Sequence, residues 1–200
     1  AVGPETVYWT NLTNSGPVMR SPKECGRAEL LATATRPRTV VVDDTHVYWG
    51  TFEADDGGVY RRVVGLDGPA EQLANMLGGI SALVLGDGQL YWTAHAELAG
   101  GFITDPTDLP IGGVFSAPLD GTADPFDPTV LADNQAQPWG IARTPSGQLL
   151  WANGDGEAAA YLPDTIVTLT ADGPPAALDS DSTAPWGMAA DASFAFWTDN

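Results

Sequence analysis

The chain has 200 residues with 26 Asp or Glu against 8 Lys or Arg, a formal charge of −18 at pH 7, which excludes nucleic-acid binding as a default because phosphate neutralisation needs a basic surface. Its hydrophobic fraction of 44% and seven tryptophans suffice for a packed core, so the charge does not imply disorder. With 23 glycines and 16 prolines, long helices are disfavoured, and no apolar run approaches the roughly 20 residues of a membrane-spanning helix.

Taken in chain order, the expected elements repeat. Val7-Tyr8-Trp9-Thr10-Asn11 is an aromatic strand, and after the turn Pro22-Lys23-Glu24-Cys25-Gly26 a short strand returns at Leu30-Leu31-Ala32. Pro37–Asp43 is an apolar strand, followed by a second aromatic one, Val47-Tyr48-Trp49-Gly50-Thr51. A third strand closes at Val63-Val64-Gly65-Leu66-Asp67-Gly68, and a fourth returns at Gln72-Leu73-Ala74. The cycle recurs through Leu90-Tyr91-Trp92-Thr93-Ala94, Phe115–Gly121 and Val130-Leu131-Ala132. It recurs again through Leu149-Leu150-Trp151-Ala152-Asn153, Val167–Gly173 and Ala177-Leu178, and it ends on Pro185–Asp191 and Ala195-Phe196-Trp197-Thr198-Asp199. Asp-Gly between apolar runs is the tight-hairpin signal, since Gly accepts positive φ.

The anchors Trp9, Trp49, Trp92, Trp151 and Trp197 are spaced by 40, 43, 59 and 46 residues. A period of roughly 40–45 residues is that of a four-stranded propeller blade, and the long interval implies an insertion. The alignment extends past the tryptophans: Pro37–Asp43 matches Pro185–Asp191 without gaps, and Ser146–Trp151 matches Asp87–Trp92. In Val47-Tyr48-Trp49 the Val and Trp share one face while Tyr takes the other, so both faces must be covered. Neighbouring sheets in a radial array supply that cover; a two-sheet sandwich, the rival, would leave one face to water. The expectation is an all-β propeller of four-stranded antiparallel blades, residues 1–200 forming one domain or a section of one.

Tyr8-Trp9-Thr10-Asn11, Tyr91-Trp92-Thr93 and Phe196-Trp197-Thr198-Asp199 resemble the YWTD repeats of lipoprotein-receptor propellers and, more closely, secreted bacterial propellers whose blades read "GIAVD…VYWTN…LDG…LA". The resemblance covers nearly the whole chain outside insertions near residues 96–110 and 155–163. It implies a six-bladed ring, a secreted, periplasmic or cell-surface location, and a binding role. The motif's Asp stands only at Asp199, so a role for it does not carry over to Asn11, Thr51, Ala94 or Asn153. The aromatic-strand position occurs five times and the third and fourth strands four times, so the chain reads as four repeats plus partial blades, a section of a larger ring or a five-bladed ring with two incomplete blades.

Candidate ligand-face residues lie on the loops that leave the aromatic strands: Glu53, Asp55, Asp56, His95, Glu97, Asp105 and Asp108. They read either as a negative surface for a cationic partner or as simple solvation. His95 with Glu97 or Asp105 is the acid–base candidate if the chain is a lactonase-like hydrolase or lyase; a catalytic set is otherwise absent from the motifs. Trp139 and Trp186, each in Pro-Trp-Gly, either stack on a sugar or peptide from the central opening or cap the core between blades. Asn153, Asp155 and Glu157 place oxygens at alternate positions of a Gly-rich turn, a candidate Ca2+ site without the full EF-hand spacing. The turn residues Asp43, Asp87, Asp120 and Asp191 are assigned to backbone hydrogen bonds. Cys25 has no partner cysteine in the chain and is either a free thiol or bonded to an absent segment or another chain. The expected partner is a protein or carbohydrate, with a multi-chain assembly through open blade edges as the architectural alternative.

Overall fold

A computed structural model describes residues 1–53, 57–66, 68–76, 78–95, 111–122, 124–154, 164–170 and 173–199. The expected Asp55, Asp56, Glu97, Asp105, Asp108, Asp155 and Glu157 lie outside these residues. The described chain is all β, in five antiparallel sheets that follow one another in sequence.

The first sheet holds β1 (Thr6–Thr10), β2 (Gly16–Pro22) and β3 (Glu29–Ala34). The second holds β4 (Pro37–Val42), β5 (His46–Thr51), β6 (Gly57–Val63) and β7 (Glu71–Met76). The third comprises β8 (Gly79–Gly86), β9 (Gln89–His95), β10 (Ile111–Pro118) and β11 (Thr129–Ala136). The fourth comprises β12 (Pro138–Arg143), β13 (Leu149–Asn153), β14 (Thr165–Leu169) and β15 (Ala176–Asp179); the fifth has β16 (Pro185–Ala190) and β17 (Ala195–Asp199). In each complete sheet the strands pair in sequence order, so the first strand lies at one edge. Those first strands pack in succession, β4 against β8, β8 against β12 and β12 against β16. This is the radial arrangement of a partial β-propeller, with β4, β8, β12 and β16 as inner strands around the axis.

The aromatic strands show why the sheets stack. Val47 and Trp49 join Tyr8, Val18 and Leu31 of the first sheet in one buried cluster. Tyr48, one residue over, turns to the opposite face and packs with Leu83, Leu90 and Trp92 of the third sheet. Trp151 in turn packs toward Val114 and Ala132 of that sheet. Trp49, Trp92 and Trp151 thus face the preceding sheet while Tyr8, Tyr48 and Tyr91 face the next, as period-2 alternation requires. Full burial of such side chains contributes about 2–3 kcal/mol each. The first sheet keeps a remnant of its inner strand: Val2 bridges Val7, as Val42 pairs with Val47 one repeat later.

The turns follow their residue chemistry. Asp87 and Gly88 both have positive φ, +50° and +73°, as a two-residue hairpin turn of the primed type demands. Asp43 Oδ1 accepts the backbone N–H groups of Thr45 and His46, each at 2.7 Å, and Asp191 Oδ1 accepts those of Ser193 and Phe194, also at 2.7 Å. Asp120 accepts from Thr122 in the same manner. Asp87 departs from this role, since its carboxylate pairs with Arg143 of the next sheet. Burial acts to raise the Asp43 carboxyl, but the N–H donors of His46 and Thr45 and the hydroxyls of Thr45 and Tyr48 hold it below the ordinary carboxylate range.

Candidate functional site

The ladder between inner and aromatic strands slips at one place in four sheets. The shifts lie between Pro37 and Thr39, Ile80 and Ala82, Pro138 and Ile141, and Pro185 and Met188. A bulge re-aims the side chains it contains. The second residue of each of these segments is Arg38, Ser81, Trp139 or Trp186, and all four line a single cavity of about 450 Å³ among the inner strands. Repeat geometry therefore delivers three chemistries, a guanidinium, a hydroxyl and two indoles, to one cavity. The Pro-Trp-Gly sequence serves close approach here: a Cβ on Gly140 would come within 2.3 Å of the Trp186 carbonyl oxygen, so a larger residue would push β12 and β16 apart.

A second row comes from the ends of the aromatic strands. His95 lies three residues past Trp92, as Phe52 lies three past Trp49 and Gly154 three past Trp151. Phe52 and His95 meet edge to face at 4.7 Å, and the His95 ring meets Trp139 at 4.5 Å and 61°. Trp139 stacks on Trp186 at 4.3 Å and 20°, and its indole N–H donates to the Gly154 carbonyl. The Arg38 guanidinium lies over Phe52 at 4.5 Å, Trp139 at 4.9 Å and Trp186 at 5.8 Å, within cation–π reach of all three. Thr93 Oγ1 donates to the Trp139 carbonyl at 2.8 Å, tying the third sheet to the fourth beneath the stack.

Within this aromatic wall Ser81 Oγ lies 2.9 Å from His95 Nδ1, with both residues buried. At the outer end Trp186 is 39% exposed, leaving part of its indole surface to solvent. The site combines a guanidinium held by π faces, a hydroxyl–imidazole pair and an open indole. Such a set can stack on a flat apolar surface, donate hydrogen bonds to oxygen and move a proton.

Of the expected ligand-face residues, His95, Trp139 and Trp186 converge here, whereas Glu53 follows Phe52 half-buried at the edge of the described loop. The two Pro-Trp-Gly tryptophan rings pack on each other and line the axial cavity. Asn153 uses its amide nitrogen on Gln135 Oε1 at 3.0 Å and Thr165 Oγ1 at 3.3 Å. Among the described residues no group of three His, Cys, Asp or Glu is placed to hold a metal ion. Cys25 sits exposed in the turn after β2 with φ +36°. The sequence motifs do not mark Arg38, Ser81 or Phe52 as site residues. A signal for the first existed, since aligning Pro37–Asp43 with Pro185–Asp191 already sets Arg38 in register with Trp186.

The sequence matches no family model and no curated protein. Solved structures do match. One is the structure of a nidogen/laminin complex, 20% identical with a TM-score of 0.61 over 98% of this chain and 68% of that one. A second is a gluconolactonase from Xanthomonas campestris, 17% identical with a TM-score of 0.65 over 97% of this chain and 66% of that one. A third is the β-propeller domain of the trilobed protease from Pyrococcus furiosus, 5% identical with a TM-score of 0.60 over 98% of this chain and 60% of that one. At these identities the likeness is one of fold, and the chain spans roughly two thirds of each neighbour's length.

Proposed function

We infer that this chain is a binding module that acts outside the cytoplasm and takes a neutral carbohydrate in its axial cavity. The observation that carries the reading is the convergence of Arg38, Trp139 and Trp186 on one concave surface, with the outermost indole partly open. An exposed indole stacks on the C–H face of a sugar ring, and a guanidinium donates to several ring or hydroxyl oxygens at once. The charge of −18 disfavours an anionic glycan at low salt, so the sugar is neutral.

Glu53, next to Phe52, and the net charge of −18 then favour a basic partner protein over an acidic one. A protein partner for this face fits the neighbour whose structure is a nidogen/laminin complex, and an enzymatic use of the same cavity fits the gluconolactonase neighbour. Titration with neutral xylo-, cello-, manno- and malto-oligosaccharides, read by tryptophan fluorescence, tests the reading. Binding by one series, weakened at least about tenfold in Trp186→Ala, is the expected result. If every series leaves the fluorescence unchanged, the carbohydrate reading fails.

A further inference from the structure

We propose that Ser81 and His95 form a nucleophile–base pair that cleaves a carboxylic ester presented in the axial cavity. The inference rests on the reading of that cavity as the ligand site. Four observations carry it. Ser81 Oγ and His95 Nδ1 stand 2.9 Å apart, the separation a proton transfer needs. Ser81 is one of the residues that line the cavity of about 450 Å³, a space large enough for a ligand. The imidazole is clamped edge-on between Phe52 at 4.7 Å and Trp139 at 4.5 Å, which fixes the ring that would take the proton. Arg38 occupies the position equivalent to Ser81 on the neighbouring inner strand and is the charged side chain among the described residues lining the cavity.

The contrast with other sheets sharpens the point. The position of Ser81 is otherwise Arg, Trp and Trp, and among the described residues the position of His95 is otherwise Leu12, Phe52 or Gly154. A hydroxyl and an imidazole thus meet only in the third sheet among these equivalents, where fold geometry alone demands neither.

The chemistry balances as follows. Ser81 donates when His95 carries its ring proton on Nε2, leaving the Nδ1 lone pair toward the hydroxyl. Oγ attacks the ester carbonyl carbon as its proton passes to Nδ1, and the Arg38 guanidinium supplies positive charge in the cavity for the developing oxyanion. The ester C–O bond then breaks, and the proton on Nδ1 goes to the departing alcohol. Water attacks the acyl-Ser81 ester, gives a proton to Nδ1, and releases the acid as Ser81 recovers that proton.

A fluorophosphonate probe tests the pair without any sugar. Oγ–P bond formation with loss of fluoride should add one phosphonyl group to the intact protein, mapped by peptide mass spectrometry to Ser81. Ser81→Ala should abolish the adduct, and His95→Gln should slow labelling at least about tenfold. Ser81→Cys in a Cys25→Ser background, labelled with iodoacetamide across pH, reads the same base at position 81 should His95→Gln fail to fold: labelling that persists below the ordinary thiol range is expected, and an ordinary thiol profile counts against the pair. Labelling confined to other residues, or no label on a natively folded protein, overturns the proposal. Oligosaccharide binding with no Ser81 adduct sinks only this inference, whereas an adduct with no oligosaccharide binding sinks only the carbohydrate reading.

Discussion

Trp151 and Trp49 hold the same strand position two sheets apart, and both rings are shut away from solvent, at 0% and 2% exposure. Their indole N–H groups end differently. Trp151 Nε1 donates to Gln135 Oε1 at 2.9 Å, and the same oxygen accepts Asn153 Nδ2 at 3.0 Å. For Trp49 the place of Gln135 is taken by Ala34 of the first sheet, each lying three residues before the proline that opens the next inner strand and opposite the glycine near the start of the strand that follows an aromatic one. No described residue accepts from Trp49 Nε1, and a cavity of about 260 Å³ lined by Ala34, Thr51 and Tyr60 adjoins that ring. The difference teaches that the repeat enforces apolar packing between sheets, while the polar ends are completed position by position.

Removing the shared feature should erase the contrast. Trp49→Ala and Trp151→Ala should each lower stability by about 3–5 kcal/mol, by urea unfolding, because both delete a buried aromatic. A cost for Trp49→Ala below half that of Trp151→Ala would break the equivalence. Removing only the polar completion should separate them. Gln135→Ala strands the Trp151 indole N–H, leaves Asn153 Nδ2 with Thr165 Oγ1, and should cost about 2–3 kcal/mol, whereas Trp49→Phe, which deletes a donor without an acceptor among the described residues, should cost under about 1 kcal/mol. Ala34→Gln would transplant the fourth sheet's solution and should raise stability by about 1 kcal/mol, provided the cavity accommodates the amide. Loss of stability there would mean that the two interfaces differ in backbone as well as side chain.

A smaller effect separates the same two sheets by pH. The turn after β4 is held by Asp43, whose carboxyl is depressed below its ordinary range, while the corresponding turn after β12 is held by the uncharged Thr144, whose hydroxyl accepts from Gln148 N at 3.1 Å. A depressed carboxyl stabilises the fold above its unfolded pKa and loses that contribution as pH falls through the folded value. Amide exchange at Thr45 and His46 should therefore speed up below about pH 4 relative to exchange at Gln148, corrected for intrinsic rates. Equal behaviour of the two turns would remove the assignment of Asp43 as their distinguishing clamp.

Much of the fold was legible because its signals are local and repeated. Val47-Tyr48-Trp49 states a two-faced strand in three residues, and Asp87-Gly88 states its turn in two. The site was less legible. His95, Trp139 and Trp186 stood out as rare or repeated residues, yet Ser81 looked like an ordinary strand serine, and nothing in its neighbourhood along the chain names His95, fourteen residues away. Asp87 was assigned to its own turn, but its carboxylate finds Arg143, which is distant in sequence and adjacent across the sheet boundary.

The amino-acid order by itself determined the antiparallel strands, their two buried faces, the turn positions and the number of repeats, because alternation and turn preference act between residues a few positions apart. Which side chains share the axis was decided only by tertiary structure. Inner strands separated by some 40 to 60 residues must first pack side by side, and a slipped ladder in each must turn its second residue inward, before Arg38, Ser81, Trp139 and Trp186 meet. That convergence depends on sheet packing and bulge geometry, two properties that no short window of sequence contains.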